Sequence, residues 1–403
     1  MTDAYIYDAV RTPRGKGKAE TGGLHSVSPV ELAAGQLRAL KERNDFGERK
    51  VDDVILGCVD PVMDQAGDIA RSAALLADYG DEVPGVQINR FCASGLEAVS
   101  LAASRVKADD AQLIAAGGVE MMSRVGMGGS GAPQVTDPGI AAPHFLIPQG
   151  VSADLIATRN GYTRDEVDAY AVDSQKRAAK AWKEGRFSRS VTPVIDENGI
   201  IILDTDETVR PDADLQSLGG LNPSFQGMAM MAGFDAVAIQ KYPEIETLTY
   251  VHHAGNSSQI VDGASAVLVG SRAAGADSGL KPRARILSMA SIGSEPTIML
   301  TGPAEACRRA LTRVGMTFSD IDLWELNEAF AAVVLNFMDE TGVRHEVMNV
   351  NGGAIAMGHP LGATGAMILG TLVDELERAD KQTGVATLCA ASGQAIAMVV
   401  ERA

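Results

Sequence analysis

The chain has 403 residues, of which 46% are hydrophobic and only 4% aromatic, with 43 glycines and a formal net charge of −17. Length and glycine content predict two or three sub-domains of tightly packed α/β structure with close backbone approaches. The charge argues against a nucleic-acid partner and an anionic membrane surface, but not against an anionic ligand held by a few local cations.

Residues 1–10 run straight into a strand pattern without a basic, apolar leader, and no stretch reads as a transmembrane helix. A cytoplasmic protein without membrane insertion is expected. Val86–Asn89 reads as a buried strand, followed by Leu96, Val99, Ala103 and Val106 at helical spacing. Ala111–Gly118 is a buried strand ending in glycines, and Ser123–Gly150, rich in Gly, Pro and Ser, reads as a loop or lid. Thr163 and Glu166 form a capping box whose helix runs to about Gly185, and Asp204–Tyr250 reads as loop with short helices. Near the carboxyl end, Gly362–Leu369 repeats the turn-into-helix of Cys92–Val99, and Ala386–Gly393 repeats the glycine-ended strand. Such an internal repeat predicts two similar α/β halves with parallel strands covered on both faces. The excursion between them is expected to wall a binding site.

Three residues carry the chemistry. Cys92 lies between a strand and a helix start, where the helix dipole and unpaired amides favour thiolate. His359 sits between Gly358 and Pro360, in a turn so rich in glycine that the imidazole is expected to be presented rather than packed. Cys389 ends the repeated strand. A thiol nucleophile, an imidazole and a second thiol suit carbon–carbon bond chemistry on thioesters. Asn327, between a strand and a helix pattern, is a further candidate, with helix capping as its plain alternative. The glycine-rich stretch around His359 lacks a phosphate-loop pattern. Cys58 and Cys307 read as buried apolar thiols. There is no Cys-x-x-Cys, and the adjacent His252 and His253 do not share a face, so no metal site is expected and both histidines read as structural. His25, His144 and His345 have no informative context.

Together these motifs resemble the thiolase family of acetyl-CoA acyltransferases. The resemblance runs from Asp8–Pro13 through Gly117–Ser123, Ala254–Ser258, Asp262–Ala264, Gly302-Pro303 and Asn327–Phe330 to both terminal motifs. It implies an α/β thiolase-like fold, with two βαβαβαββ halves packed as a five-layered α-β-α-β-α core. The halves would span 1–121, completed by 250–271, and 272–403, with 122–249 as an inserted loop domain. It further implies that Cys92 attacks the 3-keto carbon of a 3-ketoacyl-CoA and keeps the acyl chain. His359 and a water on Asn327 would stabilise the departing enolate, and Cys389 would protonate it. The amides of Cys92 and Ala391 would form an oxyanion hole. Coenzyme A is expected as a substrate, with no resident cofactor. Arg210 is placed at its adenine and phosphate end, Ser217, Phe225, Ala254 and Ser258 along the pantetheine channel, and Met299 in the acyl pocket. A homodimer or homotetramer is implied, with room for a hydratase–dehydrogenase partner subunit. The alternatives are biosynthetic acetoacetyl-CoA formation and, from another class, a cysteine thioesterase, which needs no Cys389.

The chain departs from the family pattern in four places. Ala391 stands where glycine is usual, and a positive φ there would be strained. The segment after Ser123 is short and lacks the family's usual Ala-Pro pair at that point. Gln149 replaces a usual methionine. Gln226–His253 is an insertion carrying three methionines. All four are expected around the acyl pocket, which suggests a longer, branched or ring-derived acyl group.

Overall fold

The computed structural model describes residues 2–45 and 51–403. The amino-terminal half contributes β1 (Ala4–Arg11), β2 (Asp53–Gly57), β3 (Gly85–Ile88), β4 (Leu113–Met121) and, after the long excursion, β5 (Val261–Ser271). The carboxyl-terminal half contributes β6 (Ala284–Gly293), β7 (Leu323–Leu326), β8 (Thr383–Ala390) and β9 (Gln394–Arg402). Residues of β1, β4 and β5 are buried throughout, as strands covered on both faces require.

The main helices are α1 (Pro29–Asn44), α2 (Ile69–Leu76), α3 (Ser94–Lys107), α4 (Gln149–Asn160), α5 (Arg164–Lys183), α6 (Pro303–Thr312), α7 (Ala331–Thr341) and α8 (Leu361–Arg378). Local chemistry starts several of them. Ser28 caps α1 by accepting from the Glu31 amide, with Pro29 in the first turn. The Thr163/Glu166 capping box is formed at the start of α5, as its spacing predicts.

The layers follow from what each helix touches. Helix α1 packs on β1, β4 and β5, and α6 on β6, β8 and β9. Helices α3 and α8 pack on each other and contact strands of both halves. The order is therefore helix, sheet, paired central helices, sheet, helix. The halves are not separate sheets, however. Ala4–Ile6 of β1 pairs antiparallel with Ala284–Ile286 of β6, giving the continuous order β7-β8-β9-β6-β1-β5-β4-β2-β3. The expected βαβαβαββ repeat is also incomplete. In the carboxyl-terminal half the strand equivalent to β3 shrinks to one parallel bridge, Trp324 to Met348.

The central helices cross with backbones in contact, and glycine makes that possible. A Cβ on Gly95 would lie 2.7 Å from the Gly362 carbonyl oxygen, and one on Gly118 would overlap the same atom. A carbonyl in the opposite backbone cannot move aside as a flexible side chain can. The first turn of α8 is thereby held against Gly118 within β4, a strand that runs on to Met121 rather than ending at its glycines.

Candidate active site

Strand β3 ends at Ile88, and the next six residues make a tight turn into α3. Asn89 Oδ1 accepts from the Phe91 amide at 2.8 Å. Ser94 Oγ accepts from the Arg90 amide at 2.8 Å and donates to the Phe91 carbonyl at 2.6 Å. Phe91 is held at φ 47°, a left-handed conformation that costs a non-glycine residue about 1–3 kcal/mol. Cys92 follows, 7% exposed. Its own amide, the Ala391 amide and the Gln149 side chain lie beside the sulfur. These favour thiolate, but burial outweighs them and pushes the thiol up to about 11.

The second turn occupies the equivalent place in the other half. Gly358, at φ 97°, precedes His359, whose amide donates to the Gln259 carbonyl at 3.0 Å. His359 is only 4% exposed, so the expectation of a presented rather than packed imidazole fails. The glycines serve backbone contacts around the turn, and the ring is enclosed except where it meets the cavity. Its tautomer follows from the hydrogen bonds. Thr364 Oγ1 donates to the Pro360 carbonyl, and so accepts at 2.6 Å from Nδ1–H of His359. Nε2 therefore carries the lone pair and accepts from Asn327 Nδ2 at 3.4 Å. Burial, aided by the nearby Arg14 guanidinium, lowers this imidazole to about 3, so the resting ring is neutral.

Asn327 lies one residue past β7 and is buried, and its Oδ1 has no protein partner. A buried, unpaired amide oxygen beside an imidazole is suited to hold a water. Cys389 lies near the end of β8, and burial together with the neighbouring Cys92 pushes its thiol well above the ordinary range. Ala391 does not take the positive φ that would strain it. Ser392, at 60°, and Gly393, at 71°, make the turn instead. The Ala391 amide is thereby left pointing at Cys92 without backbone strain at that residue.

Glu120 ties the segment after β2 to the first turn of α8, a role its sequence context did not signal. Its carboxylate accepts from the Val59 amide at 2.9 Å, the Asp60 amide at 3.2 Å, Gln65 Nε2 at 3.0 Å and the Gly362 amide at 2.9 Å. The last is in the first turn of α8, where a carboxylate also meets the helix dipole favourably. Burial pushes Glu120 up to about 7, and the four donors oppose it.

Cys92 and His359 both line a cavity of ≈ 660 Å³. Arg210, Phe225, Ala254 and Ser258 line it as expected, with Arg210 exposed at the mouth. Lys16 and Lys18 join Arg210 there, and among the described residues no ion pair engages their side chains. Two cations separated by one glycine in a loop are unremarkable in sequence, so only the fold reveals them. Two expected residues fall elsewhere. Ser217 lies outside the lining, exposed in a short helix, where its hydroxyl accepts from the Asp214 amide and donates to the Asp214 carbonyl. Met299 packs in the hydrophobic core around α4 and α7 and does not reach the cavity. The Gln226–His253 insertion also stays away from the lining, and Met228, Met230 and Met231 face outward. Its flanks, Phe225 and Ala254, are what reach the cavity. A second cavity of ≈ 600 Å³ lies beyond Cys92, lined by Phe91, Val135, Gln149, Ala391 and neighbours.

The remaining histidines of the site region are structural. His252 Nδ1 meets Asp154 and His253 Nε2 meets Asp168, each at 2.8 Å and fully buried. Among the described residues no cluster of three metal-ligating side chains occurs. Cys58 and Cys307 are buried free thiols.

Residues 4–241 match the family model for the thiolase N-terminal domain, and residues 280–402 that for the thiolase C-terminal domain. This chain belongs to the thiolase family. Among its relatives, a 3-ketoacyl-CoA thiolase of Acinetobacter baylyi is 40% identical over 407 aligned residues, covering 99% of this chain and 98% of the other. One from Cronobacter sakazakii is 39% identical with both chains fully covered. A steroid 3-ketoacyl-CoA thiolase of Mycobacterium tuberculosis is also 39% identical, over 100% of this chain and 95% of the relative. The crystal structure of Bacillus anthracis acetyl-CoA acetyltransferase superposes with a TM-score of 0.84 at 32% identity, covering 100% and 99% of the two chains. The expected thiolase fold and acyltransferase class both hold. Among the described residues no helix is long and apolar enough to cross a membrane.

Proposed function

We propose that this thiolase-family protein cleaves 3-ketoacyl-CoA with CoA, through an acyl group carried on Cys92. The observation that carries the reading is Cys92, set just before α3 at the wall of a cavity that His359 also lines. His359 Nε2 takes the Cys92 proton, and the thiolate attacks the 3-keto carbon. The C2–C3 bond breaks, leaving its electron pair on the acetyl-CoA enolate and the acyl group on sulfur. Cys389 gives its proton to C2, releasing acetyl-CoA, and recovers one from the imidazolium. CoA then enters, its thiol proton passes to His359 Nε2, and its sulfur attacks the acyl carbon. Cys92 leaves and takes the proton back from His359. The Cys92 and Ala391 amides stabilise the oxyanion of the acyl-transfer step, a contribution of about 3–4 kcal/mol in comparable holes. Asn327, through a water on Oδ1, and His359 do the same for the enolate.

Coenzyme A acts as a substrate along the larger cavity, with Phe225, Ala254 and Ser258 beside the pantetheine. Its phosphates meet Arg210, Lys16 and Lys18. In a chain of net charge −17, a group of cations without carboxylate partners at a cavity mouth supports an anionic ligand there. The second cavity, beyond Cys92, suits an acyl group larger than acetyl. A symmetric oligomer is supported by β3, which ends the sheet with its outer edge unpaired and Val86 41% exposed. Four free thiols support a reducing, cytoplasmic compartment.

The test is CoA-dependent loss of 3-ketoacyl-CoA across a chain-length panel that includes branched and ring-bearing substrates, with Cys92→Ser alongside. Cleavage lost in the variant supports the reading. Thioester loss without CoA replaces it with a cysteine hydrolase.

A further inference from the structure

The two cavities meet at a narrow wall. Only five residues line both, namely Cys92, Met127, Pro148, Gln149 and Leu361. Besides the nucleophile itself, Gln149 is the one member of this wall whose side chain carries hydrogen-bond donors. It is half-buried at the first position of α4, behind Pro148, which offers no side-chain cap. The helix fixes its backbone, and Ser152 anchors the same turn by donating to the Thr297 carbonyl at 2.7 Å. From this position, in the wall it shares with Cys92, the Gln149 side chain is placed to donate to the sulfur. The amide has two N–H donors, and a thiolate is an acceptor only, so the bond strengthens as the sulfur loses its proton.

We propose that Gln149 is a positioning residue for Cys92: its side-chain amide, in the wall between the two cavities, donates to the sulfur, orients it and takes up part of the thiolate charge. The inference rests on reading Cys92 as the nucleophile. The need for such a donor is plain from the surroundings. Burial disfavours the Cys92 anion, and no lysine or arginine lines the wall. His359 is a neutral base at rest, so no preformed cation balances the sulfur. The Cys92 and Ala391 amides are needed again for the oxyanion of the acyl group, whereas the Gln149 amide is a separate, side-chain donor.

The experiment needs no substrate. The full-length protein is alkylated with iodoacetamide between pH 6 and 11, and modification of the Cys92 peptide is followed by mass spectrometry. Gln149→Met keeps an unbranched side chain of similar length but removes the donors. Gln149→Glu keeps the shape and replaces the donors with a charge. The expected result is a titration of Cys92 reactivity displaced upward by about one to two pH units in Gln149→Met, the size of one hydrogen bond to a charged group. Gln149→Glu is displaced further. At pH 8 alkylation of the methionine variant is then about tenfold slower or more. The Cys307 peptide, whose thiol lines neither cavity, serves as an internal control and keeps its own profile. Superimposable Cys92 titrations in wild type and Gln149→Met overturn the proposal, as does a downward displacement in Gln149→Glu. Failure of the thiolase reading looks different: no CoA-dependent cleavage by the wild type, whatever the titrations show.

Discussion

The Cys92 turn and the His359 turn occupy equivalent places in the two halves, yet they are built and charged differently. Each follows a residue with positive φ, Phe91 at 47° in one and Gly358 at 97° in the other, and each leads into a central helix. The cysteine turn is strapped by side chains, with Asn89 and Ser94 holding its backbone. The histidine turn is held through its carbonyls and glycines, with Thr364 fixing the ring. Burial raises the thiol and lowers the imidazole, so the resting pair is uncharged on both sides. The lesson is that duplication supplied two similar scaffolds, and different straps then fitted each to its own partner. The charge separation needed for attack then arises only when substrate fills the cavity and excludes the last water.

The largest effects should come from the groups that touch reacting atoms. Cys92→Ala should lower CoA-dependent thiolysis by about 10⁴-fold or more, read as loss of 3-ketoacyl-CoA. Cys389→Ala should be as severe for carbon–carbon cleavage. It should nevertheless retain exchange of label between a simple acyl-CoA and free CoA, because that step needs only the Cys92 turn and His359. If both activities vanish together, the division of labour between the halves is wrong. His359→Ala should cost about 10²–10⁴-fold in both activities, the usual range for a general base.

The contact between the turns can be broken without touching the chemistry. Gly118→Ala places a Cβ on the Gly362 carbonyl. It should lower stability by about 1–3 kcal/mol or more, measured as a shift in the urea midpoint. The charge comparison is sharpened by pH. His359 binds a proton near 6.5 when unfolded but only near 3 when folded. Between those values the unfolded state holds more protons, so stability falls as pH falls from about 6.5 toward 3. His359→Gln should flatten that fall by up to about 1.4 kcal/mol per pH unit, seen in urea midpoints across the window. At the small end, Ser217→Ala should leave KM for CoA unchanged within about twofold, because its hydroxyl serves a helix cap rather than the cavity.

Much of this molecule was legible in one dimension. Buried apolar strands, the Thr163 capping box, the repeated turn-into-helix, the placing of Cys92 between a strand and a helix and of Cys389 near a strand's end all follow from nearest-neighbour chemistry and periodicity. The family motifs then led to Asn327 and to Arg210, Phe225, Ala254 and Ser258, which the fold sets around one cavity. The errors share one cause. Met299, Ser217 and the methionines of the insertion are near the site in sequence pattern, but which way a side chain faces is set by packing from elements far along the chain. Met299 was claimed by the core around α4 and α7, and Ser217 by its own helix cap.

The same division holds at the reacting centre. Sequence alone determined which residue types stand at the turns, because a strand ending before a helix is a local signal. Tertiary structure decided their ionisation, since burial and the approach of Arg14 to His359 or Ala391 to Cys92 join residues hundreds of positions apart. It also decided that Ser392 and Gly393, not Ala391, take the left-handed turn. And it brought Gln149, Lys16 and Lys18 to the cavity, because only the crossing of α3 and α8 through their glycines sets the two halves close enough to share one site.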